Sequence, residues 1–374
     1  MHFAVCDCHA DAIGPFDLPR HAWTEPLAMN RIDPSTPNNV DELEELLSCP
    51  SDDVIRRMSN LKGDILVLGV GGKMGPTLAR MARRASDAAG VVRRVIGVSR
   101  FSSPGLEQQL NDWGVETIRC DLLDRAAIEQ LPDVENIIFM AGMKFGATEN
   151  PSLTWAMNCH VPALVCERFR QSRLVAFSSG NVYGLTSTTG DGSVETDSPA
   201  PIGEYASTVL GRERMFEHFS RQHGTCMVLL RLNYAVELRY GVLVDLAKKV
   251  VRGEPIDLSM GSANVIWQAE ANAMALQSLL VAESPPRVLN IAGSEFFRIR
   301  EVGTRLSELI GKPVRFSGTE AAEAFLSNAE VSHAMFHRPR VTVEQMIRWT
   351  ADWVSRGGDD LGKPTHFESR DGRY

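Results

Sequence analysis

The sequence of 374 residues contains no apolar run approaching the ~18 residues that a membrane span needs. Its first residues, Met1-His2-Phe3-Ala4-Val5-Cys6, lack the basic start and long apolar stretch of a secretory leader. Basic charge is not in excess: 39 Lys and Arg face 47 Asp and Glu, for a net charge of −8. That balance argues against a nucleic-acid partner, which would need a basic face. Cysteine is sparse, and its count of 7 is odd and scattered. Reduced thiols in a cytoplasmic protein are the expectation. Cys6, Cys8, His9 and Asp11 form one cluster, but the spacing is Cys-x-Cys-His and no second ligand pair lies near it, so no metal is expected.

What is present is an alternation of apolar runs and amphipathic stretches. Hydrophobic residues make up 44% of the chain, enough for a substantial core. Buried strands are expected at 64–69, 95–98, 116–120, 136–140, 174–178 and 226–232. Helices are expected at 76–86, 153–169 and 204–222 between them. This order predicts an α/β fold with a doubly wound parallel sheet. The pattern then becomes mixed, with helices at 242–252, 269–283, 299–310 and 341–356 and a short strand at 288–291. The expected organisation is an N-terminal arm with helices (1–61), a dinucleotide-binding domain (62–233), a smaller substrate-binding part (234–357) and a tail (358–374).

Gly69-Val70-Gly71-Gly72-Lys73-Met74-Gly75 follows the first strand and opens a helix. Glycines there let the backbone turn tightly and approach a pyrophosphate, while the helix N-terminus offers free N–H groups. The second strand ends in Val98-Ser99-Arg100, without the acid that binds a ribose 2′-hydroxyl. Arg100 is instead suited to a 2′-phosphate, and Lys73 adds positive charge. NADP is therefore the expected cofactor, with NAD as the alternative. Asp121 and Leu122, after the third strand, are candidates for adenine contact, although Asp121 is equally suited to capping a helix.

With these residues in place the chain resembles the extended short-chain dehydrogenase/reductase family of NAD(P)-dependent epimerases, dehydratases and reductases. Gly69, Gly72 and Gly75 match its Gly-x-x-Gly-x-x-Gly loop, and Ala141-Gly142 its small pair beside the nicotinamide ribose. Asn158 matches a structural Asn, and Glu195 to Pro199 an acidic loop. Ser178-Ser179-x-x-Val182-Tyr183-Gly184 matches its fifth-strand signature, with Tyr205 and Glu213 on the following helix. The resemblance implies a Rossmann sheet, hydride transfer on a carbohydrate-like substrate, Ser179 and Tyr205 as catalytic hydroxyls, Asn181 and Asn233 near substrate, and a homodimer built on helices 153–169 and 204–222. The apolar residues Val161, Leu164, Val165, Leu210 and Met215 would supply that interface.

The family's Tyr-x-x-x-Lys reads Tyr205-Ala206-Ser207-Thr208-Val209 here. A free Tyr has a pKa of ~10, and the lysine normally supplies the positive charge that lets it act as a base near neutrality. Val209 cannot. Lys144, just past the fourth strand, is the expected replacement, with Arg212 as the second candidate. The leading expectation is an NAD(P)-dependent oxidoreductase, epimerase or dehydratase acting on a sugar, sugar acid or nucleotide sugar. A catalytically altered dinucleotide-binding regulator or scaffold, or a lyase using transient oxidation, are the alternatives.

Overall fold

The computed structural model describes residues 35–373. The Cys6, Cys8, His9 and Asp11 cluster and most of the expected N-terminal arm lie outside the described residues. Seven parallel strands form the central sheet: β1 (Ile65–Leu68), β2 (Val95–Ser99), β3 (Glu116–Arg119), β4 (Asn136–Phe139), β5 (Arg173–Ser179), β6 (Met227–Leu232) and β7 (Arg287–Ile291). Their spatial order is β7-β6-β5-β4-β1-β2-β3. Ile65 is in register with Val95 on one side and Asn136 on the other, so the order reverses at β1 and β4. Every residue of β1 and β4 is buried, as expected of parallel strands covered on both faces.

Local chemistry accounts for the helices. α1 (Val40–Leu47) is capped by Asn39, and α2 (Asp52–Asn60) by Ser51, whose side chain accepts from Val54 N. α3 (Gly75–Ala88) has Pro76 in its first turn and buries Leu78, Met81 and Ala82. Two short helices, α4 (Leu106–Asp112) and α5 (Arg125–Glu129), went unseen in the sequence because neither is long enough for an apolar stripe to repeat. Asp124, rather than Asp121, caps α5 through Ala126 N and Ala127 N. The helix expected at 153–169 begins earlier as α6 (Pro151–Trp155), passes through a π turn over Ala156–His160, and continues as α7 (Val161–Arg168). Pro162 brings no N–H to this stretch, and the wider turn coincides with that missing donor. α8 (Gly203–His223) follows β5. α9 (Val242–Arg252), α10 (Gln268–Ser278), α11 (Ile299–Ile310), α12 (Glu330–Met335) and α13 (Val343–Ser355) complete the chain.

Three apolar clusters hold these elements. One lies between the sheet and α2, α3 and α10. The second packs α7 and Phe216 of α8 against the other face. The third joins α9, α11 and α13, with Trp267 and Trp349 in edge contact at 5.2 Å. Leu43 and Leu47 of α1 belong to this third cluster, whereas Val54 and Met58 of α2 belong to the first. Among the described residues no helix is long and apolar enough to cross a membrane.

Candidate active site

The strand order reverses at β1 and β4, and a crevice opens beyond their carboxyl ends, where ligands of such sheets bind. The glycine loop forms its floor. Gly69 has φ +86°, and an added Cβ would meet Ala141 N at 2.6 Å, so the ends of β1 and β4 touch there. A Cβ on Gly75 would strike the Val70 backbone, with Cα at 2.7 Å. At Gly72 it would meet nothing closer than Gly69 O at 3.4 Å. Met74 supplies no side-chain cap to α3. Open space above Gly72 and uncapped N–H groups at a helix start suit a pyrophosphate. The residues present therefore fit a dinucleotide.

A cavity of about 390 Å³ occupies the crevice. It gathers Gly69, Gly72, Lys73, Met74, Gly75, Gly142, Lys144, Ser179, Asn181 and Tyr205 from widely separated segments. The other candidates sit elsewhere. Gly71 is the loop residue that faces Ser99, whose Oγ accepts from Phe101 N at 3.3 Å. Arg100 is exposed, and its carbonyl receives Arg119 Nη1 at 3.1 Å. Asp121 Oδ1 accepts from Leu123 N at 3.0 Å, and Leu122 is buried in the apolar cluster on that side of the sheet. Ala141 is buried against Gly69. Asn233 is buried too, its amide donating to Asn264 Oδ1 at 2.8 Å.

β5 carries Ser179 to the crevice, and the first turn of α8 brings Tyr205 over it. The Tyr205 hydroxyl is hydrogen-bonded to Ser179. Ser179 Oγ in turn donates to Asn181 Oδ1 at 3.1 Å and accepts from Asn181 N at 3.2 Å. Burial pushes the Tyr205 pKa up, while the Arg212 charge and the Ser179 hydrogen bond oppose that rise. Arg212 is buried, not a surface cation. Nη1 donates to Phe177 O at 2.8 Å, and Nη2 to Asn158 Oδ1 at 2.5 Å. Asn158 lies in the π turn and also holds the β4 loop, accepting from Met143 N and donating to Met143 O, both at 2.9 Å. Gly142 is needed beside it, since a Cβ would run into the Arg212 guanidinium. Val209 is fully buried with Val182 and Tyr183 and makes no approach to the crevice. Lys144 Nζ stands 5.6 Å from the centre of the Tyr205 ring, and burial lowers its pKa to about 8.

Behind the hydroxyl pair runs a buried polar network. Ser178 Oγ donates to Glu213 at 2.5 Å, and Arg231 closes an ion pair with Glu213 at 2.8 Å. Arg231 also donates to the Tyr183 hydroxyl, which donates to Asn290 Oδ1, each at 2.8 Å. Glu195 accepts from Asn290 N at 2.8 Å. The acids at 195 and 213 thus serve to lock β5, β6 and β7 together.

Sequence reasoning missed part of the wall. Phe145, Tyr234, Tyr240, Lys363 and Thr365 all line the cavity. Tyr234 has φ +41°, a conformation rare outside glycine and often found at functional sites. The last two come from the chain beyond α13, which carries no periodic signal.

Residues 65–258 match the sequence profile of the family described as NAD dependent epimerase/dehydratase. No curated protein sequence matches the chain. Among solved structures it is similar to a mutant UDP-glucuronic acid 4-epimerase from Bacillus cereus in complex with UDP-4-deoxy-4-fluoro-glucuronic acid and NAD. The TM-score is 0.67 at 18% identity, over 78% of this chain and 99% of that one. A UDP-glucose 4-epimerase from Thermus thermophilus in complex with NAD gives 0.64 at 22% identity, over 79% and 99%. A dTDP-glucose 4,6-dehydratase from Bacillus anthracis str. Ames in complex with NAD gives 0.66 at 16% identity, over 79% and 97%. These likenesses establish the Rossmann-type fold. The profile match spans more than half of the chain, which therefore belongs to the NAD-dependent epimerase/dehydratase family.

Proposed function

We propose that the protein is an enzyme that moves hydride between a nicotinamide dinucleotide and a carbohydrate-like substrate, with Tyr205 and Ser179 at the reacting hydroxyl. The observation that carries this reading is the Tyr205–Ser179 hydrogen bond at the mouth of a glycine loop that fits a pyrophosphate. When bound, the dinucleotide supplies the hydride acceptor or donor. Tyr205 holds or removes the proton on the substrate oxygen, and Ser179, fixed by Asn181, orients that oxygen. Arg212 takes the electrostatic part of the absent lysine, favouring the phenolate through its buried charge. Lys144, over the Tyr205 ring, adds to it.

NADP is the proposed cofactor, because no acid ends β2 and Arg100 is exposed beside it. The three structures named above hold NAD, so both dinucleotides belong in the test. A homodimer is also proposed. Val161, Leu164 and Val165 are packed in the core, so the face available to a partner on these helices is carried by the half-buried Leu210 and Met215 with Leu153 and Trp155, 37% and 44% exposed. Cytoplasmic residence remains the expectation from the sequence.

Val209 favours a second reading, a dinucleotide-binding regulator with little turnover. The deciding experiment incubates the protein with NAD or NADP and a panel of sugars, sugar acids and nucleotide sugars. Reduced cofactor is followed at its absorbance band and sugar products by chromatography. Turnover supports the enzyme. Cofactor binding with no turnover on any class supports the regulator.

A further inference from the structure

Besides the hydroxyl pair and Arg212, the cavity lining holds three lysines. Lys73 rises from the glycine loop, Lys144 from the segment after β4, and Lys363 from the chain after α13. Lys73 Nζ stands 3.0 Å from the centre of the Tyr240 ring and 5.3 Å from that of Phe145. Lys144 Nζ stands 5.8 Å from the same Phe145 ring. Among the described residues Lys73 has no ion pair. Its carboxylate neighbours, Glu237 and Asp245, act from further off and are engaged elsewhere. Glu237 pairs with Arg239 at 3.1 Å, and Asp245 accepts from Thr365 N at 2.8 Å and Thr365 Oγ1 at 2.6 Å.

Lys363 is exposed, but the chain that carries it is strapped down on both sides. Asp360 pairs with Lys248, and Leu361 N donates to Arg239 O at 3.1 Å. Phe367 is buried in the α9–α11–α13 core, and Arg370 Nη1 donates to Glu323 O at 2.6 Å. The chain on both sides of residues 363 and 365 is therefore docked on the body of the fold, and Lys363 and Thr365 are held at the cavity wall. Three like charges in one half-buried cleft destabilise one another, and burial with its two lysine neighbours lowers the Lys73 pKa to about 6. An anionic group placed among them reverses the sign of that interaction.

We propose that Lys73, Lys144 and Lys363 form an anion subsite that takes the carboxylate or phosphate of an acidic sugar substrate. The proposal rests on the reading of this cavity as the site of hydride transfer. Lys144 lines the same cavity as the other two lysines and stands 5.6 Å from the Tyr205 ring centre, so the subsite adjoins the Tyr205 side chain. The pyrophosphate of the dinucleotide belongs instead over Gly72 and the start of α3. Lys363 is thus assigned to substrate and not to cofactor.

The test uses the full chain and isothermal titration with D-glucuronate, glucose 6-phosphate and neutral D-glucose, each with and without NAD or NADP. Both anions are expected to bind at least about tenfold more tightly than glucose, the worth of one charged hydrogen bond. The tighter of the two names the anion. Lys363→Met is expected to remove most of that preference, Lys363→Arg to keep it, and dinucleotide affinity to stay within about twofold, because the cofactor's pyrophosphate is assigned to the glycine loop and not to residue 363. Lys363 is exposed, so folding is not at risk. Equal binding of glucose and the anions overturns the proposal. So does a Lys363→Met variant with unchanged anion preference, or one whose dinucleotide affinity falls in step. Failure of both dinucleotides to bind the wild-type chain overturns the hydride-transfer reading instead, while anion selectivity in the cofactor-free titration still decides the subsite.

Discussion

The Arg212 guanidinium lies two turns beyond Tyr205 on the same helix and is the buried positive charge that acts on its hydroxyl. The family lysine would reach that hydroxyl from one turn away. The longer Arg side chain reaches the region from the second turn, held by Phe177 O and Asn158 Oδ1. Charge is supplied, but burial still dominates, and the Tyr205 pKa remains raised. Tyr205 is accordingly a phenol at neutral pH, ready to donate a proton and poor at removing one.

Replacing Tyr205 with Phe removes that proton without changing the shape of the wall. Tyr205→Phe is expected to lower kcat by about 10²-fold or more, in line with loss of a general acid/base. Dinucleotide affinity should stay within about twofold, since the glycine loop is untouched. Steady-state rates and a cofactor titration check the two halves.

A pH profile tests Arg212. With the Tyr pKa raised, oxidation of a substrate hydroxyl should climb as pH rises above neutrality, and reduction should fall over the same range. Arg212→Met takes away the opposing charge, so both limbs should move to higher pH. Arg212→Lys should keep the profile near that of the wild type. Arg212→Met also takes the guanidinium donor from Phe177 O and one of two donors from Asn158 Oδ1, which keeps Met143 N, a loss on the order of 1–3 kcal/mol. A lower Tm is expected for that variant, and circular dichroism should be recorded alongside the rates. An unchanged profile would leave Lys144 as the cation to test next.

Val209→Lys does not restore the family arrangement. Its side chain would start from an apolar cluster with Val182 and Tyr183, where Val209 is fully buried. Placing an ammonium there costs desolvation, and Arg212 already occupies the polar contacts nearby. The expected outcome is a lower Tm with no gain in kcat.

The sheet and its glycine loop were legible because buried parallel strands and a Gly-rich turn leave dense local signals. Gly69, Gly72 and Gly75 announced the crevice floor, and Ser179 and Tyr205 its hydroxyls. The burial of Arg212 was not legible in the sequence. Helical spacing put it on the right face, but nothing in the sequence told a buried guanidinium held by Asn158 from a surface ion pair. Lys73 was read as a partner for phosphate at the Arg100 end. The structure turns it toward Tyr240 and Phe145, because loop direction is set by tertiary contacts. Lys363 and Thr365 were invisible as cavity-lining residues, since an irregular tail is placed by where it docks and not by its own pattern.

Cofactor choice is open to a charge reversal at the end of β2. Ser99→Asp and Arg100→Glu each introduce an acid suited to a ribose 2′-hydroxyl and repel a 2′-phosphate. If Arg100 selects NADP, either change should shift the ratio of affinities toward NAD by about tenfold or more, about the worth of one charged hydrogen bond. Fluorescence titration with NADH and NADPH reads the ratio. A wild-type chain that already prefers NADH would remove the role given to Arg100 and leave the glycine loop unaffected.

Stability should itself depend on pH through Glu270. This carboxylate lies on α10, buried at 9% exposure, with Oε1 accepting from Arg340 N and Val341 N and Oε2 without a partner. Desolvation pushes its pKa up to about 7 from the ordinary 4.5, despite those hydrogen bonds. The folded state therefore binds a proton that the unfolded state releases between these values. Its contribution is fully present below pH 4.5 and is lost as pH rises through 7. The shift corresponds to about 3 kcal/mol at most. Glu270→Gln keeps an acceptor for Arg340 N and removes the charge. It should raise Tm at pH 8, where wild-type Glu270 is ionised, and leave it nearly unchanged at pH 5. Thermal melts of the two proteins at both pH values give the comparison, and a gain of equal size at pH 5 and pH 8 would show that packing, not ionisation, sets the effect.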